Sequence, residues 1–359
     1  MEFINATRMA AGFSMGLEPS GRELLVVVLK GTFCLPEPGQ VARLHAQQVP
    51  LMLADTFTGM PGFAAPVHEA DYAPRKPACD VLLLGSAHAP GGRPVARTSV
   101  LLRVGPMTKR LDVVGDRVWQ AGLSGIHPSD PHPFLQKIIS YDVAFGGVDQ
   151  ESADPADHGA YLPNPIGRGY RRQLKNEWVD GRPLPNTEAV GQPVRFPTEP
   201  HVPMAFGPVG RSWMPRARWA GTYDQAWLDE VFPFLPRDFD ERHYQAAAAD
   251  QQMPVPTGPL EVTLAGLTAD GLRQFMLPYF DPPVHVHPRR GEQEVHTARL
   301  DTVVFEPDLA RFTMSWRVTR PLKSGLHELA QVVVGAKGRQ WWQQREQLVI
   351  NTPVPSGVS

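Results

Sequence analysis

Proline and glycine occur so often in this chain that long helices have little room to form. There are 38 prolines and 32 glycines among 359 residues, with proline well above its ordinary share of about 5%. Inside a helix, each proline removes an amide donor and clashes with the carbonyl one turn back. At strand ends and in tight turns the same residue is tolerated, because its fixed φ suits them. The prolines are interleaved with apolar and aromatic residues, and the hydrophobic share is 42%. That is enough to bury a core, so the chain does not read as disordered. The expectation is a mainly β fold of short strands joined by many fixed turns.

Strand signals fall at both ends of the chain. Residues 23–35, ELLVVVLKGTFCL, are rich in β-branched types, and residues 80–87 read DVLLLGSA. Residues 96–104, ARTSVLLRV, and 108–119, TKRLDVVGDRVW, alternate apolar with polar, the period of a half-buried strand. Turn formers separate them at Pro90-Gly91-Gly92 and Gly105-Pro106. Strands return at 260–267 (LEVTLAGL), 298–305, 310–319 and 327–335, and EPDL between the second and third of these predicts a hairpin. Residues 341–350 read as a last short element. Between the two β-rich parts the periodicity is lost, while tryptophan, phenylalanine, tyrosine and proline persist. The expected organisation is sandwich-like sheets in 1–148 and 253–359. A Pro/aromatic-rich wrap, 149–252, lies over them with one short helix near residues 223–232, capped by Thr222 or Asp224 and stopped by Pro233.

Formal charge is −2, so bulk electrostatics favour neither nucleic acid nor an anionic membrane as a partner. The longest apolar run is strand-sized, and the N-terminus lacks a basic segment followed by a long apolar one. Cys34 and Cys79 lie far apart without metal-ligand spacing and read as buried free thiols of a reducing compartment. The expected location is therefore cytoplasmic.

Each motif with chemical content also has a structural reading. In GDRVW, Gly115, Asp116 and Arg117 form a turn beside Trp119, with no second catalytic group near in sequence. The glycines of AFGG and NPIGRGY, Gly146, Gly147, Gly167 and Gly169, lack the GxGxxG spacing of a nucleotide loop. With Asn164 and Pro165 they read as turns that bring backbone close to aromatic rings. His285 and His287, one residue apart, with Glu292 and His296 nearby, offer a metal-dependent, cupin-like enzyme as the alternative. The prolines around the pair favour a polar loop. GLSG at 122–125 is not a nucleophile elbow. Taken together these give no catalytic residue, metal or cofactor. Trp213, Arg216, Arg218, Trp219, Tyr223 and Trp227 concentrate the residue types enriched in protein interfaces. They form the candidate partner-binding set, or else the glue that fixes the wrap to the sheets.

Several segments in order resemble one bacterial family, domain of unknown function 2169, found in type VI secretion gene clusters. They are LKGTF (29–33), PRKPACDVLLLGSAHAPGGRPV (74–95), VGPMTKRLDVVGDRVW (104–119), YDVAFGG (141–147), NPIGRGY (164–170), LPRDFD (235–240) and LDTVVFEPDLARFTMSWR (300–317). Residues 285–295 have no counterpart in that resemblance. It implies an adaptor or chaperone-like accessory protein, not an enzyme, that helps load an effector onto the secretion spike. Its partner would be the secreted effector or a spike-tip component.

Overall fold

The structure, a computed structural model, describes residues 1–123 and 125–336; the element read at 341–350 lies outside them. The chain is mainly β, and the longest strand among the described residues, Glu23–Cys34, is buried along almost its whole length. Both faces of that strand are covered, which is why its sequence runs apolar instead of alternating. Leu25, Val27 and Leu29 enter the main core. Leu24, Val26 and Val28 pack on the other side under Leu51 and Tyr72.

Glu23–Cys34 lies in a seven-stranded sheet. Its order is Gln252–Met253, Cys79–Leu83, Arg299–Glu306, Arg311–Pro321, Glu23–Cys34 and Ala10–Leu17, with Arg43–Leu44 also on Glu23–Cys34. Thus strands from residues 1–148 and 253–359 share one sheet: Cys79–Leu83 runs parallel to Arg299–Glu306, and Glu23–Cys34 antiparallel to Arg311–Pro321. The five-stranded sheet mixes them too, with Arg97–Val104 between Met107–Val114 and Glu261–Ala265. A four-stranded sheet places Glu2–Asn5 parallel to Leu329–Val334, beside Pro283–Pro288 and Glu294–Thr297. Residues of all three sheets meet in one hydrophobic cluster around Phe305, Phe312 and Trp316.

The hairpin expected at EPDL is present. Glu306 faces Arg311 across a turn at Pro307–Leu309, and Ala310 takes φ 50° to close it. A bulge between Leu300 and Thr302 accompanies a buried pair, Asp301 with Arg317, at 2.6 Å. Arg317 also donates to the carbonyls of Asp71 and Ala73. Lys30 meets Asp71 and Lys76 meets Asp80, each at 2.8 Å. These pairs tie residues 71–76 to the sheet as a strap. The cavity beneath them is about 30 Å³, room for about one water and no ligand.

Arg320 links sheets at the opposite end of the hairpin. It bonds both carboxylate oxygens of Glu294 and one of Glu328. Arg320 hydrogen bonding holds Glu294 at about 2. Partial burial pushes Glu328 up, but Arg320 and the Ser324 and Lys323 amides outweigh it and bring it to about 2. Both carboxyls are depressed, so their contribution is fully present above about pH 4.5 and is lost as pH falls towards 2. The melting-temperature gap between the wild type and Arg320→Gln should therefore shrink across that window. A gap that stays constant would show that the pairs contribute nothing.

Cys79 is buried, and burial raises its thiol pKa. Cys34 corrects the sequence reading: it is exposed, because it ends its strand at the margin of the sheet.

Candidate functional site

The turn motifs singled out in the sequence converge in one place. The Asn164 side-chain amide donates to the carbonyls of Tyr141 and Phe145, and the Asn164 carbonyl accepts from the Gly147 amide. Pro165 follows directly in the turn that carries the chain to Gly167, and Arg168–Gly169 pairs in parallel with Phe145–Gly146. The Trp119 indole donates to the Gly169 carbonyl at 3.0 Å. A methyl on Gly169 would press Pro185 at 2.7 Å, and one on Gly115 would overlap the carbonyl oxygen of His132. Gly146, Gly147 and Gly169 take positive φ; Gly115 and Gly167 do not, and are required by close packing alone. Asp116 bonds Lys137 and Asn186, while Arg117 bonds the buried Glu188 and the Pro185 carbonyl. Asp116 is exposed and holds the turn from outside; the other groups pack in or against a small core of Trp119, Phe145, Val179, Leu184 and Val194.

The histidine pair lies on a strand, not in a polar loop: the prolines stand at the two ends of Pro283–Pro288. The register with Glu294–Thr297 sets Val284 against His296 and His285 against Val295. Facing residues share a side of the sheet and alternate residues point oppositely. His285 and His287 therefore occupy one face, and His296 and Glu294 the other. Glu294 is engaged by Arg320 and by His296 at 2.9 Å. Burial and then neighbouring His287 lower the His285 pKa. Among the described residues no group of three or more His, Cys, Asp or Glu side chains could hold a metal ion.

Ser86, Asp308 and His88 also meet, Ser86 at 2.8 Å and His88 at 3.3 Å from the Asp308 carboxylate. The carboxylate stands in the middle, so the imidazole cannot take the serine proton in the way a catalytic triad requires. These contacts pin Gly85–His88 to the hairpin turn.

The interface-type residues divide by depth. Trp213 is buried, its ring on Gly210 and edge-on to Tyr141 at 5.3 Å. Arg216, 3% exposed, forms a bidentate pair with Glu69 and bonds the carbonyls of Val209 and His243. Arg211 adds Asp55 at 2.8 Å and Glu69 at 3.1 Å. Trp213 and Arg216 thus hold the segment down instead of facing outward. Trp219 is partly exposed, between the guanidinium groups of Arg218 and Arg242 at 4.6 and 3.4 Å.

From this anchor a loop, residues 221–240, closes on itself. The Thr222 amide and hydroxyl both donate to the Asp238 carboxylate, at 2.9 and 2.7 Å, and lower its pKa. The Asp240 amide reaches the Trp219 carbonyl. Inside, Asp224 caps the helix Gln225–Glu230 through the Trp227 amide, as one of the two expected caps. The Trp227 indole donates to the Phe234 carbonyl. Its ring wedges edge-on between Tyr223 and Phe232 at 4.8 and 5.6 Å. This leaves Tyr223 56%, Leu228 53% and Phe232 61% exposed, with Phe234 beside them. The aromatics are thus rigidly seated and open to solvent. Sequence reasoning selected Tyr223 and Trp227 but missed Leu228, Phe232 and Phe234. The signal available was the apolar run between prolines, VFPFLP, in a loop.

The architecture defines a mainly β protein of several open sheets. The chain belongs to the bacterial family described as an uncharacterized protein conserved in bacteria (DUF2169), whose model matches residues 20–317. No curated protein and no solved structure matches it. Among the described residues no helix is long and apolar enough to cross a membrane.

Proposed function

We propose that this protein binds another protein, as an adaptor or chaperone-like accessory that helps load a secreted effector onto the type VI secretion spike. The observation that carries the protein-binding part is the 221–240 loop. Its base is closed by paired hydrogen bonds, and large apolar side chains stand exposed on it. A pre-ordered loop loses little entropy on binding, and rigid aromatics are the usual anchors of an interface. Contiguous exposed apolar surface is uncommon on a protein without a use for it. The secretion context rests on the family resemblance of the sequence, and the partner is the effector or a spike-tip component.

Co-expression of the chain with the neighbouring effector is expected to give a complex that survives purification at micromolar concentration. Tyr223→Ala and Phe232→Ala should each weaken it by tenfold or more, on the order of 1.4 kcal/mol. Both side chains are solvent-exposed, so the melting temperature of the free protein should hardly move. If neither effector nor spike component co-purifies, or if both variants bind as well as the wild type, the reading fails.

A further inference from the structure

The strand Ala10–Leu17, AAGFSMGL, is the outer strand of the seven-stranded sheet. Exposed strand edges are normally blunted by charge, proline, bulges or shortness. This one is eight residues long, contains no charged residue and no proline, and pairs with Glu23–Cys34 in unbroken register. The other margins of the three large sheets are protected: Gln252–Met253 and Thr187–Glu188 have two residues each, Leu272–Met276 carries Arg273, Glu294–Thr297 carries Glu294 and His296, and Glu2–Asn5 is four residues long and carries Glu2. Among the described residues, the backbone of 10–17 makes no hydrogen bond beyond its pairing with Glu23–Cys34.

We infer that this edge pairs, antiparallel, with the same edge of a second copy of the chain, about a two-fold axis at Phe13; this goes beyond the effector-binding reading. In an antiparallel pair, facing residues both turn their amides and carbonyls towards the partner or both away. A symmetric pairing of one strand with itself therefore centres on a residue. With Phe13 on the axis, Ala11 faces Met15, Gly12 faces Ser14 and Ala10 faces Gly16, and Arg8, in the bend just before the strand, comes beside Glu18, just after it. Apolar residues then meet apolar ones on one face, where each Phe13 ring also packs on its own Phe3 at 5.3 Å and against the main core. On the other face only small residues meet, where Tyr72 lies over Gly12 and Pro74 over Gly16. Moving the axis to Gly12 or Ser14 separates the charges. Arg8 is exposed and has no ion pair among the described residues, and Glu18 is held only by Arg75 at 3.5 Å and by Ser20. A symmetric pair thus gains two Arg8–Glu18 contacts at its rim. A single eight-residue strand covers less than the roughly 1,000 Å² of a stable interface, so the association is concentration-dependent and of micromolar strength.

Sedimentation equilibrium of the full chain across about 1–200 μM tests this. The mass is expected to rise from 39.6 kDa towards twice that value. Met15, 41% exposed, can take lysine without loss of fold, and Met15→Lys should stay monomeric with an unchanged melting temperature. Arg8→Glu should weaken association about tenfold, because each substitution sets like charges together twice. Arg8→Glu combined with Glu18→Arg should recover it. A wild type that remains monomeric throughout overturns the inference. So does a dimer indifferent to Met15→Lys or Arg8→Glu. Amides of residues 11–17 that become protected only with a co-expressed effector would assign the edge to that partner and overturn self-pairing.

Discussion

Replacing Arg216 by alanine is expected to destabilise the protein by about 3–5 kcal/mol, and effector binding should be lost with it. The guanidinium is buried and bonds the Glu69 carboxylate and two backbone carbonyls. Removing it leaves a largely buried carboxylate and two carbonyls without these donors. Arg211 still reaches Glu69 at 3.1 Å, which keeps the loss from being greater. The anchor also positions Trp219 and the loop beyond it, so both properties fall together. Arg218→Ala is the control. Arg218 is exposed and only lies over the Trp219 ring, so its removal should cost about 0.5 kcal/mol. Equilibrium urea unfolding of the two variants checks the difference. Equal stability would mean that the Glu69 pair does not hold the segment.

The second large effect is expected at Gly146. Its φ of +149° is strained for any other residue, and a Cβ there would overlap the Asn164 carbonyl oxygen. Gly146→Ala therefore combines backbone strain with overpacking, about 2–5 kcal/mol in total. Gly39→Ala separates the two terms. Gly39 also has positive φ, +77°, but nothing lies within 4 Å of its Cβ position, so strain alone should cost about 1 kcal/mol. Denaturation midpoints of the two variants that coincide would show that the cradle around Asn164 yields to a methyl group.

Local features of the fold were legible in the sequence because neighbouring residues set them. Pro307, Asp308 and Leu309 dictate the hairpin turn, and Asp224 caps the helix before Trp227. The apolar run from Leu24 to Leu29 shows that both faces of a strand are buried. Proline and glycine density excluded long helices, and the longest α-helix described has six residues. The strands Glu2–Asn5 and Ala10–Leu17 were not recognised, since AAGFSMGL has the small residues of a loop. Its glycines are explained by Tyr72 and Pro74, which are distant in sequence.

Tertiary structure alone decided which strands pair and which side chains face solvent. Val28 faces Arg317 and Val81 faces Val303, partners hundreds of residues apart that no local period can specify. The same holds for the candidate site. Arg216 and Arg218 are indistinguishable as neighbours in WMPRARW, yet one meets Glu69 in the interior and the other reaches solvent. His285 and His296 look like companions in the sequence, and strand register sets them on opposite faces. The sequence determined the turns, the periodicities and the residue types available for binding. Non-local pairing determined which of those residues were consumed in holding the sheets together and which were left outside, because a buried charge or a strand edge is satisfied only by whatever partner the fold brings to it.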